Sequence, residues 1–202
     1  MIIIINYGLG NLNSIQNMLR KIDIESEISS NPKKIQEATK LILPGVGAFD
    51  RGMENLKKLR IIPVLEEQVL EKKVPVLGIC LGMQLMTQKS EEGNFPGLGW
   101  IDGETIKFKD EKLKIPHMGW NFVKITKKHQ LVKDLPKNSR FYFVHSYHVN
   151  LKKDEDVLLQ TSYGIDFASA FQKENIMGVQ FHPEKSHQFG MIMLKNFAQL
   201  DN

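Results

Sequence analysis

Two hydrophobic rhythms divide the chain. In the first half, short continuous apolar runs alternate with stretches whose apolar positions recur at helical spacing. Residues 2–5 are consecutive isoleucines, closed by Tyr7-Gly8-Leu9-Gly10 and followed by Leu12, Ile15, Leu19 and Ile22 at helical intervals. Residues 41–43 form a second run, closed by Pro44-Gly45-Val46-Gly47, and helical patterns follow over 50–58 and 63–72. Residues 76–79 form a third run, which leads through Cys80 into a helical stretch over 81–86. Strands that are apolar throughout, rather than alternating, are covered on both faces. The pattern therefore predicts an α/β fold with a mostly parallel sheet flanked by helices.

The second half reads differently. Short strand-like runs occupy 105–108, 121–126, 140–144, 157–161, 168–172 and 176–181. Glu174-Asn175 marks a turn between the last two, which predicts an antiparallel hairpin. Phe189, Met193, Phe197 and Leu200 then trace a final amphipathic helix. The expectation is an antiparallel extension late in the chain. No repeat or linker interrupts residues 1–202, so one domain is expected.

Composition narrows the function classes. The chain is 42% hydrophobic and 25% charged, ordinary for a globular protein, and no apolar run reaches the roughly 18 residues of a membrane span. The N-terminal isoleucines lack a basic flank and a cleavage site, so a buried strand is expected there rather than an export signal. One cysteine allows no internal disulfide, in keeping with a reducing cytoplasm. The net charge of +4 is spread over lysine pairs with acids nearby, a solvated surface rather than a nucleic-acid patch. The histidines are scattered, without paired metal-ligand spacing. Tyr7-Gly8-Leu9-Gly10-Asn11 lacks the third glycine of a dinucleotide fingerprint, and no Lys-Ser/Thr follows the 44–47 loop as a phosphate loop requires. No metal and no cofactor is expected.

The sharpest chemical signal is Val76-Leu77-Gly78-Ile79-Cys80-Leu81-Gly82, a glycine-x-nucleophile-x-glycine elbow with cysteine in the middle. A strand turns abruptly into a helix there, and small flanking residues let the two elements approach. Backbone N–H groups at a helix start favour an anion, the setting in which thiolate nucleophiles form. A lone cysteine is otherwise a small buried hydrophobe; here the run before it, both glycines and the helical pattern after it agree on an elbow.

A thiol nucleophile needs a base. Among His117, His129, His145, His148, His182 and His187, only His182 ends an apolar run and is followed by Pro183-Glu184. A side chain just past a strand's C-terminal end is where open α/β sheets place active sites. Glu184 can reach the imidazole, fix its tautomer and stabilise the imidazolium. Cys80, His182 and Glu184 thus supply nucleophile, base and orienter.

With these residues in place, residues 78–84 together with 178–184 resemble the class I (triad-type) glutamine amidotransferases, a resemblance that covers essentially the whole chain. It implies a flavodoxin-like open sheet and hydrolysis of the glutamine side-chain amide through a glutamyl thioester on Cys80. The elbow offers the N–H of Leu81 to a developing oxyanion. The glycine-rich 43–48 loop resembles the family's oxyanion loop, with Val46 and Gly47 as contributors. Gln84 lies one helical turn after Cys80, on the same face. The resemblance makes it a substrate contact, assigns Glu92 to the substrate's α-amino group, and assigns Ser146 and Tyr147 to its α-carboxylate end.

Asn6-Tyr7-Gly8-Leu9-Gly10-Asn11-Leu12 and Ile115-Pro116-His117-Met118-Gly119-Trp120-Asn121 further resemble the glutaminase subunits of imidazole glycerol phosphate synthase. That implies histidine biosynthesis and a heterodimer with a (β/α)8-barrel cyclase, which receives the ammonia and binds the phosphorylated substrate. Asn11, Asn13, Trp120 and Asn121 become expected interface residues. Three other readings stay open: a related glutaminase serving a partner that aminates a surface-polysaccharide sugar, a cysteine hydrolase such as a peptidase or γ-glutamyl hydrolase, and a catalytically silent module.

Overall fold

The computed structural model describes residues 1–109 and 113–200. Twelve strands are present among them: β1 Ile2–Ile5, β2 Ser26–Ser29, β3 Lys40–Gly45, β4 Val76–Cys80, β5 Gly103–Lys107, β6 His117–Phe122, β7 Lys124–Ile125, β8 Arg140–His145, β9 Tyr147–Leu151, β10 Val157–Tyr163, β11 Ile165–Lys173 and β12 Ile176–Val179. The α-helices are α1 Leu12–Arg20, α2 Pro32–Gln36, α3 Phe49–Lys58, α4 Ile62–Glu66, α5 Leu81–Leu85 and α6 His187–Ala198.

The main sheet runs β2-β1-β3-β4-β12-β11-β10-β7, with β9 joining β11 and β5 pairing β9. From β2 to β12 the pairings are parallel; from β12 onward they are antiparallel. This is the expected parallel sheet with an antiparallel extension. A separate antiparallel ribbon, β6 with β8, stands apart from it.

The continuous apolar runs are explained by two cores, one on each face. Alternation along β1 sends Ile2 and Ile4 to one side, with Ile42, Leu77 and Ile79, against α1 and α6. It sends Ile3 and Ile5 to the other side, with Leu41, Leu43 and Val76, against α3 and α4. Both faces are dry, so every residue of β1 is apolar and buried. Each such side chain contributes about 2 kcal/mol by burial.

Several boundaries differ from expectation. The 63–72 helix is α4 followed by a π-helical turn at Glu67–Glu71, and the helix after the elbow is one short turn, Leu81–Leu85. The 121–126 run splits: β6 begins earlier, at His117, and Val123 turns inward to the core before β7. The last strand stops at Val179, where the chain leaves the sheet and brings Gln180, His182 and Glu184 to the site while Phe181 stays in the core.

Candidate active site

Sheet register brings together the ends of β3, β4 and β12. Gly45 lies opposite Cys80, and Val179 opposite Ile79, so residues 46–47 and 180–182 flank the thiol. Cys80 sits at φ 53°, ψ −110°, a conformation that costs about 1–3 kcal/mol for a residue with a side chain. The elbow closes only because Gly82 is bare: a Cβ there would lie 1.7 Å from the Leu43 carbonyl oxygen. Gly47, at φ +113°, has open space around it, so backbone conformation and not crowding selects glycine.

Past β12, His182 and Glu184 meet. His182 Nδ1 lies 2.8 Å from Glu184 Oε1, with both side chains 1% exposed. Asn11 Nδ2 donates to the same oxygen at 2.9 Å. Asn11 is also the residue that starts α1, yet it makes no cap there. A side chain worth about 1 kcal/mol as a cap is given to the carboxylate instead. Ser186, at the start of α6, behaves alike: its Oγ donates to the His182 carbonyl at 2.6 Å and accepts the Tyr142 N–H at 3.0 Å.

The other ring nitrogen, His182 Nε2, has no partner of regular hydrogen-bond geometry among the described residues. Burial alone would lower the His182 pKa. Hydrogen bonding and charge from Cys80 and Glu184 outweigh it and raise the pKa to about 10. Burial pushes Glu184 up, but His182 and Asn11 hold it below the usual carboxylate range. Glu184 is therefore a carboxylate and His182 is biased strongly towards the imidazolium.

Cys80 and His182 open onto a cavity of ≈ 370 Å³. Val46, Gly47, Leu81, Gln84, Glu92, Ser146 and Tyr147 are among the residues that line it. Gln84 is buried, and its Nε2 donates to the Tyr147 carbonyl at 3.2 Å and to Gln180 Oε1 at 3.0 Å. Gln180 Nε2 in turn points at Cys80 Sγ at 3.7 Å. Glu92 Oε2 accepts the Phe49 N–H at 2.9 Å, placing a carboxylate at the start of α3.

All the residues singled out for catalysis, oxyanion contact and substrate contact thus border one cavity or, for Glu184, its buried backing. The four expected interface residues divide. Asn13 and Trp120 are exposed. Asn11 is committed to Glu184, and the Asn121 amide is spent on Ser162 and His117. Sequence reasoning missed Gln180 beside the thiol. It also missed Tyr7, whose buried hydroxyl packs against Gly45 without a partner among the described residues. Burial first, and then the charge of Cys80, raise the Tyr7 pKa. Among the described residues no group of side chains is arranged to hold a metal ion, and no helix is long and apolar enough to cross a membrane.

The sequence profile of the family described as "Glutamine amidotransferase class-I" matches residues 3–200. The chain belongs to the class I glutamine amidotransferases. Among curated relatives, "Imidazole glycerol phosphate synthase subunit HisH 2" of Methanococcus maripaludis is 56% identical, over 98% of this chain and 99% of its own length. The subunit of the same name in Pseudomonas aeruginosa is 48% identical over 99% of this chain and 100% of its own. Among solved structures, PurLQS from Thermotoga maritima superposes with a TM-score of 0.76 at 16% identity, covering 97% of this chain and 96% of that one. At that identity the likeness speaks to the fold of this amidotransferase alone.

Proposed function

We propose that the chain is a glutaminase that hydrolyses glutamine to glutamate and ammonia for a synthase partner. The observation that carries this reading is the shared cavity of Cys80 and His182, with Glu184 bonded to the far side of the imidazole. Sγ attacks the side-chain carboxamide carbon while the His182 imidazolium holds, on Nε2, the proton taken from the thiol before the attack. The oxyanion that forms is held by the N–H of Leu81 and by the Val46–Gly47 loop. As the tetrahedral adduct collapses, His182 delivers the proton to nitrogen, the C–N bond breaks and ammonia leaves. Water then attacks the glutamyl thioester, with His182 accepting its proton, and glutamate departs with the thiol restored. Gln84, Glu92, Ser146 and Tyr147 hold the amino-acid end of the substrate.

The partner in this reading is a (β/α)8-barrel cyclase, paired as a heterodimer in histidine biosynthesis in the cytoplasm. Support comes from the relatives' names and from an exposed apolar row on β6, Met118, Trp120 and Phe122, with Ile125 beyond it. The cyclase binds the phosphorylated substrate, and the ammonia passes to it directly. One observation favours a second acceptor. The names of several of the most similar relatives carry copy numbers, as in "HisH 2" and "HisH 1", which fits genomes with more than one such subunit and a copy that serves a sugar-aminating partner.

Ammonia release from free glutamine tests the activity. Wild type is expected to release it, and Cys80→Ala to lose at least about 10⁴-fold. Wild-type-like release by Cys80→Ala contradicts the mechanism.

A further inference from the structure

One histidine pair is buried beside the cavity and takes no part in the chemistry above. His117 on β6 and His145 on β8 face each other across the ribbon. His117 Nδ1 lies 2.9 Å from His145 Nε2. His145 Nδ1 lies 2.7 Å from the Tyr147 carbonyl oxygen, and His117 Nε2 lies 3.1 Å from Asn121 Nδ2.

The direction of this chain is fixed independently from both ends. At the inner end the carbonyl can only accept, so His145 Nδ1 carries the proton and a neutral His145 must accept at Nε2. His117 Nδ1 therefore donates. At the outer end, Asn121 Nδ2 donates to the Ser162 carbonyl at 3.0 Å and Oδ1 accepts the Phe122 N–H at 2.8 Å, which fixes the amide's orientation. Its remaining N–H points at His117 Nε2, which must accept, and Nδ1 of the same ring must again donate. Both arguments give the same polarity: Asn121 to His117 to His145 to Tyr147.

The surroundings preserve that polarity. Burial drives the His145 pKa down to about 3 and that of His117 down to about 4, so both rings are neutral in neutral solution. A charged ring would donate at both nitrogens and break the chain. His117 is clamped between Phe143, at 4.7 Å between ring centres, and Tyr163, at 4.0 Å, both nearly parallel to it. The chain ends on the carbonyl that also accepts from Gln84, and that backbone segment forms a wall of the cavity.

We infer that His117 and His145 are positioning residues for glutamine binding: a one-way hydrogen-bond chain from Asn121 locks the Tyr147 carbonyl and with it the 145–147 wall of the cavity. The inference rests on the glutaminase reading. The outer end of the chain lies on β6, beside the exposed Trp120, so the wall is tied to the face a partner would cover.

The test uses the full chain. Nitrogen-15 NMR should find both rings neutral with the proton on Nδ1, the minor tautomer of free histidine; a proton on Nε2 of either ring overturns the inference without reference to activity. In steady-state assays, His145→Phe should raise the KM for glutamine about 10-fold and change kcat less than about 3-fold, because a bond that orders the binding wall is lost. His145→Asn, whose amide can replace Nδ1–H towards Tyr147, should recover most of the KM. An unchanged KM in His145→Phe, or no recovery in a folded His145→Asn, overturns the inference and leaves the glutaminase reading intact. No ammonia from wild type overturns both.

Discussion

The parallel half of the sheet and the β6–β8 ribbon handle side chains in opposite ways. In β1, β3 and β4 every residue is buried, and the elbow is so tight that one added methyl at Gly82 would collide with Leu43. In β6 the usual distribution is inverted. Its outward residues, Met118, Trp120 and Phe122, are apolar and exposed, while His117 and Asn121 turn polar groups inward. The contrast teaches a division of labour. Strain at Cys80 persists because a packed scaffold over-determines it. Apart from the stacking of Trp120 on His187, at 5.5 Å between ring centres, the exposed apolar surface on the ribbon adds little to the fold of the isolated chain, and a patch of this kind marks a surface for a partner to cover.

Three changes probe that division, from the largest effect downward. Glu184→Gln removes the carboxylate behind the imidazole and should reduce glutaminase kcat/KM about 10³-fold, with the protein still folded. It should also lower the pKa of His182. In the wild type that pKa is raised to about 10 from an ordinary 6.5. The stabilisation from His182 is therefore present in full below pH 6.5 and lost as pH rises through about 10. In Glu184→Gln the alkaline loss should begin at lower pH, which urea unfolding as a function of pH would detect. Gly82→Ala should destabilise the chain by about 3 kcal/mol in urea, because the Leu43 carbonyl cannot move without disrupting β3. Trp120→Ala should change stability by less than about 0.5 kcal/mol, yet weaken capture of a cyclase partner by about 2 kcal/mol in calorimetry. Equal stability losses at Gly82 and Trp120 would erase the distinction between the two regions.

How far these features could be read from the sequence follows the same line. Apolar runs covered on both faces announce β1, β3 and β4, and the flanking glycines announce the elbow. Strand β2 went unread because Ser26–Ser29 is a half-exposed edge with a single apolar residue. Strand β9 went unread because only Ser146 separates it from β8. For Asn11 the family resemblance implies a place at the partner interface, and the sequence carries no sign of a second contact. Its contact with Glu184 lies 173 positions away, and only the placement of α1 against the end of β12 makes it. The pairing of His117 with His145 depends on cross-strand register, which no local pattern encodes.

The central claim is that the Cys80 thiol, with His182 beside it, attacks the glutamine carboxamide. Incubation with acivicin, a glutamine analogue that alkylates glutaminase thiols, followed by peptide mass spectrometry reads this directly. The account predicts a single adduct, on Cys80, formed in step with loss of ammonia release and much more slowly in His182→Ala. Full loss of activity with Cys80 unmodified, or ammonia release that survives complete modification of Cys80, would contradict it.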